Sequence, residues 1–319
     1  GLDPLAATET IAYDFLLAGG KRARPFVTLA AYDAMTGGAA TASDGAAAAA
    51  NLPEAVRRVA LAIEVFHKAS LVHDDIEDDD PYRYGHAAVH RRFGTATAIN
   101  VGDYLIGLGY RLVADERDRL AAPVVADVLA QLAEAHTRLS EGQGAELAWR
   151  AAPRKSLAPL DAVKIYAMKT APAFEAALFA GIRLASDARP YRQPIARYAR
   201  HLGVAFQILN DLDDWRPRDD GRRTAGGDVL DGRPTLLLAL ALESLAELER
   251  RELLSLVRNP TADDQTLVRV DGLYQRAGVY EKAHALIDKH HRRAREVADT
   301  LRPEALRHLL HYLADSLLG

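Results

Sequence analysis

Val56-Arg-Arg-Val-Ala60-Leu-Ala-Ile-Glu-Val65-Phe-His-Lys-Ala-Ser70-Leu-Val-His-Asp74-Asp75-Ile-Glu-Asp78-Asp79-Asp80 is one long apolar stripe that runs into acid. From Val56 to Val72 the apolar residues recur at spacings of three and four, the period of a helix face. Asp74 and Asp78 then stand at i and i+4, which on a helix puts their Cβ atoms about 5–6 Å apart. Carboxylates so crowded raise one another's pKa unless cations neutralise them. Hard divalent cations with oxygen ligands are the natural partners. Pro81 follows and predicts a helix end nearby.

Downstream the pattern repeats. Phe206-Gln207-Ile-Leu-Asn210-Asp211-Leu-Asp213-Asp214 is again an apolar helix that ends in an acidic turn. Asn210 and Asp214 are at i and i+4, and Asp211 and Asp214 at i and i+3. A solvated helix end is the competing reading for either cluster alone. An acidic C-terminus is electrostatically unfavourable, because the macrodipole already places negative charge there. Two such ends facing one cavity would hold several Mg²⁺ ions and, through them, a diphosphate.

The rest of the chain reads as helix after helix, rich in Ala, Leu, Arg and Glu, as over Val124 to Leu139. Gly19-Gly20, Gly37-Gly38, Pro153, Pro159, Pro260 and Gly278 punctuate it, and Gly37 to Ala50 and Arg216 to Gly227 read as loops. No linker demands a second domain, so residues 1–319 are expected to form one. A 49% hydrophobic content gives ample core. A net charge of −4 gives no support for nucleic-acid binding. The absence of cysteine excludes disulfides, thiolate metal sites and cysteine nucleophiles, and fits a cytoplasmic location. No apolar run of about 18 residues and no signal-like start are seen, so no membrane anchor is expected.

Cations accompany the acids. Lys21, Arg22 and Arg24 follow Gly19-Gly20, and a basic turn beside glycines can offer side chains and backbone N–H groups to phosphate. Arg83 lies just past Pro81. Lys169-Thr170 ends another helical stretch, and Arg233 sits in Asp231-Gly-Arg-Pro-Thr. Lys169 and Arg233 read equally well as helix-end cations. His67 lies two helical turns before Asp74, placed to donate to a second phosphate or simply to pack in the core.

Together these residues resemble the trans-isoprenyl diphosphate synthase (polyprenyl synthetase) family over nearly the whole chain. Gly19-Gly-Lys-Arg-Ala-Arg-Pro25 is similar to the family's basic motif, and His67 to Asp78 to its first aspartate-rich motif. Asn100-Val-Gly-Asp-Tyr-Leu105, Glu141-Gly-Gln143 and Lys169-Thr170 resemble intervening signatures. Phe206 to Asp214 and Gly227 to Thr235 resemble the second aspartate-rich region and its sequel. The resemblance implies an all-α fold, a single large helical bundle around a central cavity, usually homodimeric. It implies Mg²⁺, two or three ions, on Asp74, Asp78, Asn210 and Asp214. Asp74, Asp75, Asp78, Lys169, Thr170, Gln207 and Asp211 would serve the reacting centre. Arg83, Lys169 and Arg233 would bind an allylic diphosphate, and Lys21, Arg24 and His67 isopentenyl diphosphate. The implied reaction joins the two into a longer all-trans prenyl diphosphate.

Three positions depart from the family pattern. Tyr84 stands where a second arginine normally contacts isopentenyl diphosphate, and it supplies no charge. Gly85-His86-Ala87 replaces Gly-x-Pro, with His86 or Arg91 as candidate compensators. Asn210 replaces the first aspartate of the second motif, with Asp213 nearby. These changes weaken elongation more than allylic diphosphate binding. The alternatives are therefore a terpene cyclase or diphosphate lyase, or a non-catalytic partner subunit of a synthase. For product length, Ala69 and Ser70 are too small to block growth before the first motif, and Phe66 is the first bulky candidate floor. That predicts a product near C20.

Overall fold

The computed structural model describes residues 3–38, 51–152, 157–216, 226–230, 232–258 and 264–318. Most of the Gly37–Ala50 and Arg216–Gly227 stretches, with Pro153, Asp231 and Pro260, lie outside the described residues. The chain divides into two compact units. The first comprises Gly1–Glu134, Ala176–Arg192 and Pro303–Leu309, the second Ala135–Glu175, Gln193–Arg302 and Leu310–Gly319. Among the described residues no helix is long and apolar enough to cross a membrane.

The first unit begins with α1 (Ala7–Leu17), α2 (Ala23–Thr36) and the 24-residue α3 (Glu54–Glu77). A hairpin follows, β1 (Tyr82–Arg83) and β2 (His86–Ala87), then α4 (Val89–Phe93) and α5 (Thr95–Ala114). The periodicity read from Val56 onward is α3 itself, and its most extensive partner among the described residues is α5. Their closeness has a cause in sequence. A Cβ on Gly102 would lie 2.3 Å from the His73 ring, and one on Gly109 2.7 Å from Phe66. Val65, Ala69 and Val72 of α3 join Val101 and Leu105 of α5 and Ile11, Phe15 and Leu16 of α1 in one apolar core.

The remaining long helices are α6 (Ala122–Ala151), α7 (Pro159–Lys169), α8 (Ala171–Ala185) and α9 (Arg192–Asp214). After them come the short α10 (Gly227–Leu230), α11 (Leu236–Ser244), α12 (Glu247–Arg258), α13 (Asp264–Arg276), α14 (Val279–Asp299) and α15 (Glu304–Leu318). Helix α11 is apolar all round and buried from Leu236 to Leu242, as a core helix must be. Thr235 caps it by accepting from the Leu238 amide at 3.2 Å. In the second unit it packs against α7 and α14.

Candidate active site

Helix α3 ends in its acidic turn by a Schellman arrangement. The Asp80 amide reaches the Asp75 carbonyl at 2.9 Å and the Asp79 amide the Ile76 carbonyl at 3.3 Å. Asp79 occupies the left-handed position, at φ 55°, where glycine is usual. The turn leaves Asp74 and Asp78 half-buried, while Asp75 is buried.

The hairpin was not foreseen in the sequence. Tyr84 and Gly85 have φ of 53° and 81°, the two left-handed residues of a tight hairpin turn. It folds Arg83 back onto Asp75, whose Oδ1 accepts from Nε at 2.8 Å and from Nη2. Asp80 adds a second carboxylate at 3.3 Å. Burial pushes the Asp75 carboxyl up, and Arg83 opposes that. Of the two candidate compensators for Tyr84, Arg91 is paired with Asp79 at 2.7 Å and His86 is exposed.

The basic turn sorts its cations. Arg22 caps α1 through the Leu16 carbonyl at 2.7 Å and pairs with buried Glu64 at 3.2 Å. Arg24 donates to His67 Nε2 at 2.9 Å, so the structure brings together two residues 43 positions apart in the chain. Burial and then the Arg24 charge lower the His67 pKa to about 2, so the ring is a neutral acceptor. Lys21 is exposed. Lys68, which sequence reading passed over, is fully buried and donates to the Ala18 and Gly19 carbonyls.

In the second unit, Lys169-Thr170 marks the break between α7 and α8. Two glycines press helices onto it. A Cβ on Gly142 would lie 2.8 Å from the Lys169 amide nitrogen, and one on Gly203 2.8 Å from that of Ala171. Thr170 donates to Gln207 at 3.3 Å, and Lys169 pairs with buried Glu146 at 2.5 Å. Asp211 is buried and accepts from the Tyr166 hydroxyl, while the Leu236 amide reaches both, at 3.2 Å and 2.7 Å. Burial and the nearby Asp228 push the Asp211 carboxyl well above the carboxylate range. Asn210 is exposed. Asp214 accepts from the Asp228 amide at 3.0 Å, and Arg233 lies against Asp228 at 3.5 Å. Asp213 is paired with Arg216 at 2.8 Å.

The chain-length candidates separate. Ala69 is buried in the core with α1 and α5, and Ser70 bonds back to the His67 carbonyl at 2.9 Å. Phe66 lies on Gly109, edge-on to Tyr110 with ring centroids 4.8 Å apart.

The donor set suits Mg²⁺. The acids of both turns offer only oxygen, and Asp75 Oδ2 is buried with no hydrogen-bond partner. Among the described residues no group of three or more Asp, Glu or His side chains is arranged to hold an ion alone. Phosphate oxygens would have to complete the shell.

Residues 6–271 match the polyprenyl synthetase family model. This chain belongs to the polyprenyl synthetase family. A short chain isoprenyl diphosphate synthase of Methanothermobacter thermautotrophicus is 30% identical over 304 residues, 95% of this chain and 87% of that one. The crystal structure of geranylgeranyl pyrophosphate synthetase from Pyrococcus horikoshii superposes with a TM-score of 0.86 at 27% identity, over 99% of this chain and 91% of that one. A polyprenyl synthase of Caulobacter crescentus, complexed with calcium and isoprenyl diphosphate, gives 0.81 at 25% identity, over 99% and 90%. The fold is thus the all-α isoprenoid synthase fold, and the family is one of prenyltransferases of isoprenoid biosynthesis.

Proposed function

We propose that this chain is a Mg²⁺-dependent prenyltransferase that condenses an allylic diphosphate with isopentenyl diphosphate to give a longer all-trans prenyl diphosphate near C20. The observation that carries this reading is the Arg24–His67 pair. It joins a cation of α2 to a neutral imidazole two turns before Asp74 on α3, which supports a second anion subsite that an enzyme acting on one diphosphate does not need. Calcium with isoprenyl diphosphate in the Caulobacter relative supports the metal and substrate class. The geranylgeranyl name of the Pyrococcus relative supports the length.

In this reading the acidic residues serve the allylic diphosphate through metal ions. Mg²⁺, two or three ions held by Asp74, Asp78, Asn210 and Asp214, would neutralise the leaving group. Arg83, kept in place by Asp75, binds the allylic diphosphate with Lys169 and Arg233. Lys21, Arg24 and His67 hold isopentenyl diphosphate within reach of the allylic carbon. Thr170 and Gln207 line the reacting region, and Asp211 fixes the end of α9 through Tyr166. Apolar walls keep water from the allylic cation. The last proton leaves to the released diphosphate. Phe66, backed by Tyr110, is the floor of the product channel. The chain acts as one domain, in a cytoplasmic homodimer.

Tyr84 and Asn210 favour a second reading, ionisation of an allylic diphosphate without isopentenyl diphosphate, or a non-catalytic partner subunit. Incubation with Mg²⁺ and farnesyl diphosphate, with and without isopentenyl diphosphate, separates them. Longer diphosphates that require both substrates are expected, and Phe66→Ala lengthens them. Hydrocarbon or alcohol from farnesyl diphosphate alone would favour the cyclase or lyase, and no turnover without an added partner the subunit.

A further inference from the structure

Lys68 is fully buried, although an ammonium removed from water is costly unless its donors and charge are used. Two of its three N–H groups go to the Ala18 and Gly19 carbonyls. Its Nζ lies 4.0 Å from the centre of the Tyr84 ring and 5.2 Å from that of Phe15. The same ring carries the Gly19-Gly20 turn. A Cβ on Gly19 would lie 2.9 Å from Tyr84 ring atoms, and one on Gly20 3.3 Å from its hydroxyl and 3.7 Å from Lys68 Nζ. Gly19 and Gly20 sit at φ 30° and 106°, so the turn needs glycine for its backbone as well as for the close approach. Lysine, ring and turn therefore form one packed unit, from which the chain runs directly into Lys21, Arg22 and Arg24.

We infer that Lys68 and Tyr84 together do the work of the arginine missing at position 84: Lys68 supplies the charge and clamps the turn, and Tyr84 is its platform. Lys68 is thus a positioning residue for the isopentenyl diphosphate subsite, acting through Lys21 and Arg24. This rests on the prenyltransferase reading above. The competing role is a strut that closes the C-terminal end of α1, where a cation is favourable in any case. The two roles separate because a strut does not care about a ligand or about a charge placed elsewhere.

The experiment compares wild type, Lys68→Met and Lys68→Met/Tyr84→Arg. Methionine keeps the length and the apolar stem. Lys68→Met should raise the KM for isopentenyl diphosphate roughly 10-fold, the loss of the charge and clamp that position Lys21 and Arg24, and move the allylic KM less than about twofold. Tyr84→Arg in that background should bring the first KM back towards wild type. Burial lowers the Lys68 pKa to about 8, with Arg22, Arg83 and Glu64 as its charged neighbours. The isopentenyl diphosphate KM of wild type should therefore climb above about pH 8, and that of Lys68→Met should not. Equal changes in both KM values, or a fall in Tm with no rescue by Tyr84→Arg, would overturn the inference. If wild type makes no longer diphosphate, the prenyltransferase reading fails separately. Calorimetric titration with inorganic pyrophosphate then decides Lys68, and equal affinity in wild type and Lys68→Met overturns it. Should Lys68→Met not fold, Lys68→Gln enters the same assays.

Discussion

At the end of α3, Asp74 is half-buried and its neighbour Asp75 is buried against Arg83; at the end of α9, Asn210 is exposed and its neighbour Asp211 is buried against Tyr166. Each turn leaves one oxygen-bearing side chain accessible and locks the next residue inside. The lock differs. Arg83 is a cation, so Asp75 keeps a use for its negative charge while being fixed. Tyr166 and the Leu236 amide are neutral donors, and burial with Asp228 nearby holds Asp211 far above its ordinary range. The first turn is anchored by charge, the second by neutral hydrogen bonds. If the turns bind metal as proposed, a neutral anchor beside Asn210 makes the α9 turn the weaker electrostatic partner.

The largest expected effect breaks this contrast directly. Asp75→Asn strips Arg83 of its buried partner, and kcat/KM for the allylic diphosphate should fall about 100-fold, with a stability loss of about 3 kcal/mol. Asp211→Asn preserves an acceptor for the neutral donors Tyr166 and Leu236, so turnover should change less than about threefold and stability by about 1 kcal/mol. Steady-state kinetics and thermal melts read both, and equal losses would erase the distinction. A middle-sized effect sharpens it. Asn210→Asp returns the missing charge to the second turn and should lower the Mg²⁺ concentration for half-maximal activity about fivefold, since ligand charge sets ion affinity. An unchanged Mg²⁺ titration would remove Asn210 from the metal's surroundings.

The smallest effect concerns pH. His67 is held neutral in the folded chain down to about 2, against an ordinary 6.5. Between those values the unfolded chain takes up a proton that the folded chain refuses, so stability falls as pH drops below about 6.5. His67→Asn removes that proton from the balance. Its stability should decline less steeply than wild type between about pH 6 and pH 4, measured by denaturant titration. Parallel curves would mean that His67 is protonated in the folded chain.

Much of this was legible in the sequence, and the reasons are local. The period over Val56–Val72 and over Val124–Leu139 gave α3 and α6, because one apolar face of a long helix repeats visibly. The resemblance put Arg24 and His67 in one group, but only the structure shows their direct 2.9 Å contact. The hairpin at Tyr84-Gly85 stayed hidden because two-residue strands carry no alternation to read. Lys68 gave no signal, since its partners Gly19 and Tyr84 lie elsewhere in the chain. Glu146 and Tyr166, which hold Lys169 and Asp211, sit in helices without acidic runs and give no signal alone. The glycines of Glu141-Gly-Gln143 and of Leu202-Gly-Val204 acquire their meaning only from the backbone each one admits around Thr170.

The central proposal is that the acidic turn of α3 binds magnesium together with a diphosphate. A crystal structure with Mg²⁺ and an unreactive allylic diphosphate analogue tests it most directly. The expected result is ions on Asp74 and Asp78 of α3 that share oxygens with the diphosphate, with Asn210 and Asp214 of α9 as further ligands. Mg²⁺ or the diphosphate bound away from Asp74 and Asp78 would contradict it.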